Sequence, residues 1–542
     1  MKKRVLIIVM AGVVILATGA GLFKSDFFEI AKQIEIFTEA YKRINMNYVD
    51  EVDPADMMDT AIKSMFEDLD PYTNFWSAQE VQEGRLRNSG SYTGIGASIQ
   101  SLRDEVVIKQ VFKDAPADQA GLKPGDRLVK IDDNYIADLQ ENAGELLKGA
   151  PGTTIEITFE RQGKQKTTTI KRKHSERKLV PFYDVVGDVG YIKLTEFGQT
   201  TSKEVGHALS VLKEKGAEKL ILDLRNNPGG LLEEAVNTVN LFIPKGQQIV
   251  STKSTIEKYN KTYMTRNEAL DLTIPLVVLI NAHSASASEI VSGSIQDLDR
   301  GVVIGARSFG KGLVQRVTPL SYGTQMKLTI SRYYTPSGRG IQALDYWHKD
   351  ENGNPLRTEA KDYNAFTTAN GRTVYDGGGI NPDIKLESSE ISGITQALLD
   401  QNIILDFSTD YYNQHKLEDW KTFELTTADF KAFKQYLKNS NFTYEPALES
   451  AFKEAFNQAE HPILKKEIEA AYNQLMTAID QAKSKELEDS KPQIEQQLTA
   501  EILRQYFYEE GLYAYNLQYN PEIKKAMKIL NSPETYKAIL QK

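Results

Sequence analysis

The sequence predicts a multidomain α+β protein, and three changes of texture along it carry that expectation. From Gly90 to Lys171 it runs in short apolar stretches such as Val106–Val111 and Ile155–Phe159, cut by Gly and Pro turns, the pattern of a β-rich module. From residue 174 to about 390, strand-like runs (Val189–Leu194, Leu220–Leu224, Leu276–Ile280, Val302–Ile304) alternate with helical stretches, the pattern of an α/β core. Beyond residue 390 the pattern is helical, rich in Lys, Glu and Gln. A length of 542 residues accommodates about three or four domains. The expected divisions are 1–23, a helical N-terminal region 24–83, the β-rich module 84–173, the α/β core 174–390 and a helical C-terminal region 391–542.

The first segment bears on location. Lys2, Lys3 and Arg4 precede an apolar run from Val5 to Phe23 whose one polar residue is Thr18. At about 1.5 Å per residue this run reaches roughly 28 Å, enough to cross a bilayer core. It also fits a long signal peptide with a small-residue exit at Thr18-Gly19-Ala20. In either case the leading positive charges keep the N-terminus in the cytoplasm and send the remainder out. The expected location is therefore periplasmic, or anchored on the extracytoplasmic side, with membrane contact through this segment only. The next region is helical: Phe37, Ala40, Tyr41, Ile44 and Tyr48 recur at spacings of three and four. Asp53-Pro54 reads as an N-cap followed by Pro at N1, opening a second helix that Asp70-Pro71 ends.

Composition excludes several function classes. Lys+Arg number 65 and Asp+Glu 74, a net charge of −9, so nucleic acid is not an expected partner. The chain has no cysteine, which excludes disulfides, thiolate zinc sites, iron–sulfur clusters and a Cys nucleophile. His-Glu-x-x-His is absent too, and no metal or organic cofactor is expected.

In the β-rich module, Tyr92-Thr93-Gly94-Ile95-Gly96-Ala97 is followed by Ala115-Pro116-Ala117-Asp118-Gln119-Ala120-Gly121-Leu122-Lys123-Pro124-Gly125-Asp126. Glycines on both sides of Ile95 allow consecutive N–H groups to converge on a carboxylate, beside a sheet edge able to accept an extended peptide. Gly-Ile-Gly alone is more often a tight turn, but with the second stretch it resembles a PDZ domain. That resemblance assigns Gly94, Ile95, Gly96 and Ala97 to the binding of a substrate tail.

In the core, the apolar run Ile274–Ile280 leads through Asn281 into Ala282-His283-Ser284-Ala285-Ser286-Ala287-Ser288-Glu289-Ile290. Small residues around a serine suit a sharp strand-to-helix turn that presents a nucleophile. Taken alone, Ser286-x-x-Glu289 reads first as a capping box, which could occur at any helix start. A serine hydroxyl needs a base. Further along lies Ser308-Phe309-Gly310-Lys311-Gly312-Leu313-Val314-Gln315. It is no P-loop, since the upstream glycine and the following Ser/Thr are missing. Burial among Phe309, Leu313 and Val314 would lower the proton affinity of Lys311; a working value near 7–8 instead of 10.4 represents on the order of 4 kcal/mol. Gln315, four residues on, is placed to orient the amine. A third stretch, Asp223-Leu224-Arg225-Asn226-Asn227-Pro228-Gly229-Gly230-Leu231, ends a strand in a loop where the backbone can approach an acyl oxygen. An N–H of Gly229 or Gly230 with that of Ala287 would make an oxyanion hole, although a plain helix-initiating turn reads the same way. His283 stands only three residues before Ser286, across a strand-end turn, and is a poorer base than Lys311.

Together these motifs resemble the carboxy-terminal processing peptidases, or tail-specific proteases, over residues from about 30 to about 386. Ser331-Arg332-Tyr333-Tyr334-Thr335-Pro336-Ser337-Gly338-Arg339 and Gly378-Gly379-Ile380-Asn381-Pro382-Asp383 resemble the end of that peptidase core. The resemblance implies a crotonase/ClpP-like core, with Ser286 as nucleophile, Lys311 as base and Gln315 supporting it. It also implies that exported proteins are held by their C-terminal tails and cut upstream. His283 departs from the pattern, and residues 391–542 extend past it. These helical ends suit dimer or adaptor contacts, or are solvated appendages. Two other classes compete: a non-catalytic PDZ peptide-binding scaffold, against which the intact Ser286, Lys311 and Gln315 argue, and acyl-CoA chemistry, which an exported location and a PDZ module do not suit.

Overall fold

The computed structural model describes residues 27–541 apart from 82–90, 103–104, 139–142, 177, 352, 387–390 and 459–461. The apolar run 5–23 lies outside the described residues. Among those described, no helix is long and apolar enough to cross a membrane. The chain divides into two compact units.

The first unit holds residues up to Val81 together with Arg316–Leu328. Helix α1 covers 27–47 and α2 covers Pro54–Glu67. Asp53 caps α2, its carboxylate accepting the N–H groups of Ala55 (2.7 Å) and Asp56 (3.2 Å). Pro54 fills the first helical position, where no N–H is needed. The Tyr41 hydroxyl of α1 donates to the Pro54 carbonyl at 2.7 Å. A short strand, β1 (Asn74–Trp76), pairs antiparallel with residues 325–327.

The second unit contains three layers of organisation. In the first, β2 (Ser91–Gly94) pairs with β9 (Lys173–Glu176) beside a sheet ordered β3-β4-β5-β7-β8, with β6 (Asn134–Tyr135) on β5. Its strands are β3 (Ala97–Leu102), β4 (Glu105–Val111), β5 (Arg127–Ile131), β7 (Thr154–Arg161) and β8 (Lys164–Lys171). Alternation sends Ile155, Ile157 and Phe159 of β7 into one core with Ile95, Val106, Ile108 and Leu128. Two short helices, α3 (Pro116–Gln119) and α4 (Ala143–Leu147), complete this module.

The second layer is a six-stranded sheet ordered β10-β11-β12-β15-β16-β23. It comprises β10 (Phe182–Val186), β11 (Val189–Lys193), β12 (Lys219–Asp223), β15 (Leu276–Ile280), β16 (Val302–Gly305) and β23 (Ile384–Lys385). Outside it in chain order are β13 (Gln248–Lys253), β14 (Lys261–Met264), β17 (Leu313–Pro319), β18 (Gln325–Tyr334), β19 (Leu344–Lys349), β20 (Pro355–Arg357), β21 (Ala365–Thr367) and β22 (Thr373–Tyr375). From β11 onward all neighbours are parallel. Both faces are covered, which is why these strands are almost continuously apolar. Leu220, Leu222, Val278, Ile280 and Val303 face helices α5 (Thr201–Glu214), α6 (Leu232–Asn240) and α7 (Ala287–Asp297). Ile221, Val277, Leu279, Val302 and Ile304 face the opposite way.

What covers that opposite face comes from the end of the chain. The helical C-terminal region runs through α8 (Gly393–Asp400), α9 (Ile403–Gln414), α10 (Thr427–Asn439), α11 (Ala447–Asn457), α12 (Pro462–Asp489), α13 (Lys491–Tyr519), α14 (Pro521–Leu530) and α15 (Pro533–Leu540). Ile523, Ala526, Ile529 and Leu530 of α14 pack on the sheet with Leu517, Tyr536 and Leu540. The Tyr536 hydroxyl bonds both the N–H and the carbonyl of Leu276, at 2.9 and 3.0 Å. The same region also holds the first module. Helix α13 is kinked at Tyr508 (φ 60°), whose hydroxyl donates to Asp118 of α3 at 2.7 Å. Gln110 of β4 donates to the neighbouring Glu509 at 3.1 Å.

Candidate active site

In a parallel sheet, the loops leaving the carboxyl ends of adjacent strands open onto one crevice. Here three such loops follow the neighbouring strands β12, β15 and β16. They are 224–231, 281–286 and 306–312, and they carry the Gly229-Gly230, Ser286 and Lys311 motifs respectively. Sequence positions far apart are thereby brought to one edge of one sheet.

Ser286 sits where β15 has ended and α7 begins, with φ 55° and ψ −112°. A non-glycine residue holds such a conformation at a cost of about 1–3 kcal/mol, and only when its surroundings impose it. The imposing contacts are visible. Asn281 and Asn226 pair side chain to side chain and side chain to backbone, at 2.8 and 2.9 Å, tying the serine turn to the glycine loop. Ala285 N–H and Ser288 Oγ both donate to the Asn227 carbonyl (3.0 and 2.9 Å), and Ser284 Oγ donates to Leu224 O (2.9 Å). Tyr333 OH donates to the Ser286 carbonyl at 3.1 Å. Gly229, at φ 100°, presses against the turn from the other side. A Cβ built there would stand 2.6 Å from Ala285 O and 2.8 Å from Ser286 Cβ, so no larger residue fits.

Glu289 joins the serine loop to the lysine loop. Its side chain is completely buried. Oε2 accepts the N–H of Ser286 at 2.7 Å and the N–H of Lys311 at 2.9 Å. Oε1 accepts Ser308 Oγ at 2.6 Å and Gly310 N–H at 2.7 Å. The backbone nitrogens of Ser286 and Lys311 thus converge on one oxygen atom. Burial pushes the Glu289 carboxyl up to about 7, only partly countered by the donors from Ser308, Lys311, Ser286 and Gly310. Tyr333, buried beside it, is also pushed up, by burial and then by the Glu289 charge. Ser308 extends the clamp by accepting Ile380 N–H at 2.6 Å, and Phe309 N–H donates to Ser284 O at 3.0 Å.

The remaining expected residues fall as follows. Lys311 is half-buried, and of the neighbours expected to bury it Leu313 is buried but Phe309 is 42% exposed, because its loop turns that ring outward. Gln315 lies on β17 (Leu313–Pro319), its amide donating to Thr329 Oγ1 at 3.2 Å. Ala287 is the first residue of α7, a position whose N–H has no intrahelical acceptor. Gly229 N–H is committed to Asn227 Oδ1 at 2.9 Å, whereas Gly230 is exposed, held between hydrogen bonds that tie Gly229 and Leu231 to Phe197 (2.8 Å each). His283 is exposed, with its backbone N–H on Asn281 Oδ1 at 3.2 Å. In the β-rich module Gly94 ends β2, Ile95 is 2% exposed within the core, and Gly96 and Ala97 lead into β3. The Ile95 and Gly96 carbonyls accept from Ala117 (2.7 Å) and Phe112 (3.0 Å). Among the described residues β3 pairs only with β4, leaving its other edge open beside α4, whose Gly144 approaches Ile99. Sequence reasoning found Glu289 only as a helix cap; the added signal was an acidic residue inside a run of small and apolar neighbours. It did not find Asn227, Asn226 or Tyr333. No cluster of metal-ligating side chains occurs among the described residues.

Comparison with known proteins gives first the class, a serine-type peptidase core joined to a PDZ module, and then the family. Residues 188–345 match the model of peptidase family S41, 93–171 that of the PDZ domain, and 394–530 that of the C-terminal helical domain of probable PDZ-proteases. A carboxy-terminal-processing protease of Bartonella bacilliformis is 37% identical over 322 residues, covering 58% of this chain and 73% of the relative. Carboxy-terminal processing protease CtpA of Bacillus subtilis is 29% identical over 433 residues, covering 77% and 90%. Among solved structures, the photosystem II D1 C-terminal processing protease aligns at 25% identity, with a TM-score of 0.37 and coverage of 67% and 96%. The chain belongs to the carboxy-terminal processing proteases of peptidase family S41.

Proposed function

We propose that this protease cuts exported proteins near their C-termini with a Ser286–Lys311 dyad, while its PDZ domain holds the substrate tail. The observation that carries the reading is the shared hydrogen-bond acceptor: Ser286 N–H and Lys311 N–H both donate to Glu289 Oε2. In this mechanism the neutral Lys311 amine takes the proton of Ser286 Oγ as that oxygen attacks the scissile carbonyl. The N–H groups of Gly230 and Ala287 stabilise the oxyanion; Gly229 joins them only by releasing Asn227. Lys311 then delivers the proton to the leaving amine, and water hydrolyses the acyl-enzyme along the same route. Gln315 restrains the amine from β17. The tail lies along the open edge of β3, with its carboxylate at Gly94-Ile95-Gly96-Ala97. The N-terminal run 5–23 supplies export or anchoring.

The test is peptide cleavage by Ser286→Ala, Lys311→Ala and Gln315→Ala proteins. The first two abolish turnover with the fold intact, because nucleophile and base act as a unit, and the third costs less. Near-normal turnover in Lys311→Ala would discard the dyad and move attention to His283.

A further inference from the structure

The glycine loop has a second set of restraints, built outside the crevice. Asp223, the last residue of β12, is buried and accepts Tyr191 OH at 2.7 Å, Lys193 Nζ at 3.4 Å and Arg225 N–H at 2.9 Å. The Arg225 guanidinium turns back onto the same carboxylate through Nε (3.0 Å) and Nη2 (2.5 Å). Burial alone would raise the Asp223 carboxyl; the Arg225 and Lys193 charges hold it well below the usual carboxylate range. Lys193 also donates to the Arg225 carbonyl. The third nitrogen, Nη1, reaches across to the C-terminal region, to Asn520 Oδ1 at 3.1 Å and to the Glu522 carboxylate. Asn520 is itself the cap of α14, accepting the N–H groups of Glu522 and Ile523 at 3.1 Å each. At the far end of the same helix, Asn531 Oδ1 accepts Lys219 Nζ at 2.7 Å, and Lys219 is the first residue of β12. A helix of ten residues is about 15 Å long, close to the span of a five-residue strand at roughly 3.3 Å per residue. Helix α14 therefore grips β12 at its start and just past its end.

We propose that the C-terminal helical region positions the oxyanion loop, with Arg225 and Glu522 as the positioning residues. Arg225 stands two residues before Asn227, whose side chain holds Gly229 N–H and whose carbonyl holds the serine turn. With its guanidinium fixed between Asp223 and Glu522, the loop has one setting against Ser286. Freed from Glu522, the loop keeps its fold but loses the tight register that oxyanion donors need. This inference rests on the reading of Gly230 and Ala287 as those donors.

The test uses the full chain with a free-acid peptide substrate and, separately, a peptide aldehyde that forms a hemiacetal with the serine. Glu522→Ala lowers kcat by roughly tenfold or more, a part of the ~10²–10³ that loss of one oxyanion donor costs, and leaves KM within about twofold. Aldehyde inhibition weakens by the same factor. In a Ser286→Ala background, peptide affinity does not change. Glu522→Gln still accepts from Arg225 and keeps kcat within about threefold. Asn531→Ala, which loosens the far end of α14, keeps kcat within about twofold. Wild-type kcat in Glu522→Ala overturns the proposal, as does an equal loss in Asn531→Ala or in Glu522→Gln. If Glu522→Ala does not fold, Arg225→Lys decides: it keeps the charge but cannot bridge Asp223 and Glu522, and undiminished kcat there overturns the proposal. Full activity in Ser286→Ala would instead remove the nucleophile assignment, a failure distinct from that of the positioning residues.

Discussion

Replacing Glu289 by Gln puts the joint between the serine and lysine loops to a quantitative test. The carboxyl, at 4.5 in its reference state, stands at about 7 in the folded protein because it is buried. That difference represents on the order of 3 kcal/mol. The sign follows from proton binding. Between pH 4.5 and 7 the folded state keeps a proton that the unfolded chain has released, so stability falls as pH rises through that window. Above it the folded protein carries the whole cost of a buried anion. The amide introduced by Glu289→Gln cannot titrate, so the local stability of wild type relative to the variant declines by about 3 kcal/mol from pH 5 to pH 8. Hydrogen exchange over residues 286–297 reads that difference locally, which matters in a multidomain chain with no single unfolding free energy.

The same substitution has a kinetic signature. Ionised Oε2 draws in the N–H groups of Ser286 and Lys311 together. A proton, or the NH₂ of a glutamine side chain, at that oxygen faces two donors and nothing to accept from them. Tyr333 is buried beside this carboxylate, and Lys311 reaches it through its backbone N–H. Turnover in the wild type therefore rises as pH passes about 7, in addition to any rise from the base proposed at Lys311. Glu289→Gln loses the Glu289 step, and its kcat falls by about tenfold or more while KM holds, since the peptide does not touch this carboxylate. Parallel exchange profiles for wild type and variant across pH, with an unaltered acid limb, would refute the reasoning.

Two further outcomes follow from the geometry. Gly229→Ala places a Cβ 2.6 Å from Ala285 O at φ 100°, so it displaces the serine turn; turnover falls by roughly a hundredfold or more, checked by steady-state cleavage against an unchanged PDZ–peptide affinity. Amidating the C-terminus of a substrate peptide removes the charge proposed to sit at Gly94-Ile95-Gly96-Ala97, weakening binding to the Ser286→Ala protein by about 1.5–3 kcal/mol in calorimetry; equal affinities for the pair would leave the module as an internal-peptide binder.

How much of this was legible in the sequence depended on whether the cause was local. The serine turn is local: small residues beside Ser286 and an apolar β15 run before it are enough to write the strand–turn–helix. The Asp53-Pro54 start of α2 is local in the same sense, a capping side chain and a donor-less first residue. Chain order also carried information, because parallel strands with both faces covered read as unbroken apolar runs, and their C-terminal loops must open on one side. Fine boundaries were less accessible. The apolar run Ile155–Phe159 is only the centre of a strand spanning Thr154–Arg161, whose polar ends complete the ladder with β8.

What was not legible shares a different physics. Glu289 looks like any capping residue until the loop holding Ser308, Gly310 and Lys311 is folded onto it, and those donors sit about twenty residues away. Gly229 offered an N–H to an acyl oxygen on paper, yet Asn227, two positions earlier, takes it within the loop. The most remote case is α14. Its amphipathic face, Ile523, Ala526, Ile529 and Leu530, marks a buried helix, but periodicity does not name the surface it covers. That surface is the residues of the sheet pointing away from α5, α6 and α7, more than two hundred positions earlier. The sheet itself implied the need: Ile221, Val277, Leu279, Val302 and Ile304 form an apolar face that cannot be left in water. Among the described residues of 174–390 no helix packs on that side in the core cluster, and the cover comes from further along the chain. Once it is recruited from α14, its N-terminus arrives beside Arg225, and a layer required by packing becomes a restraint on the loop that faces Ser286.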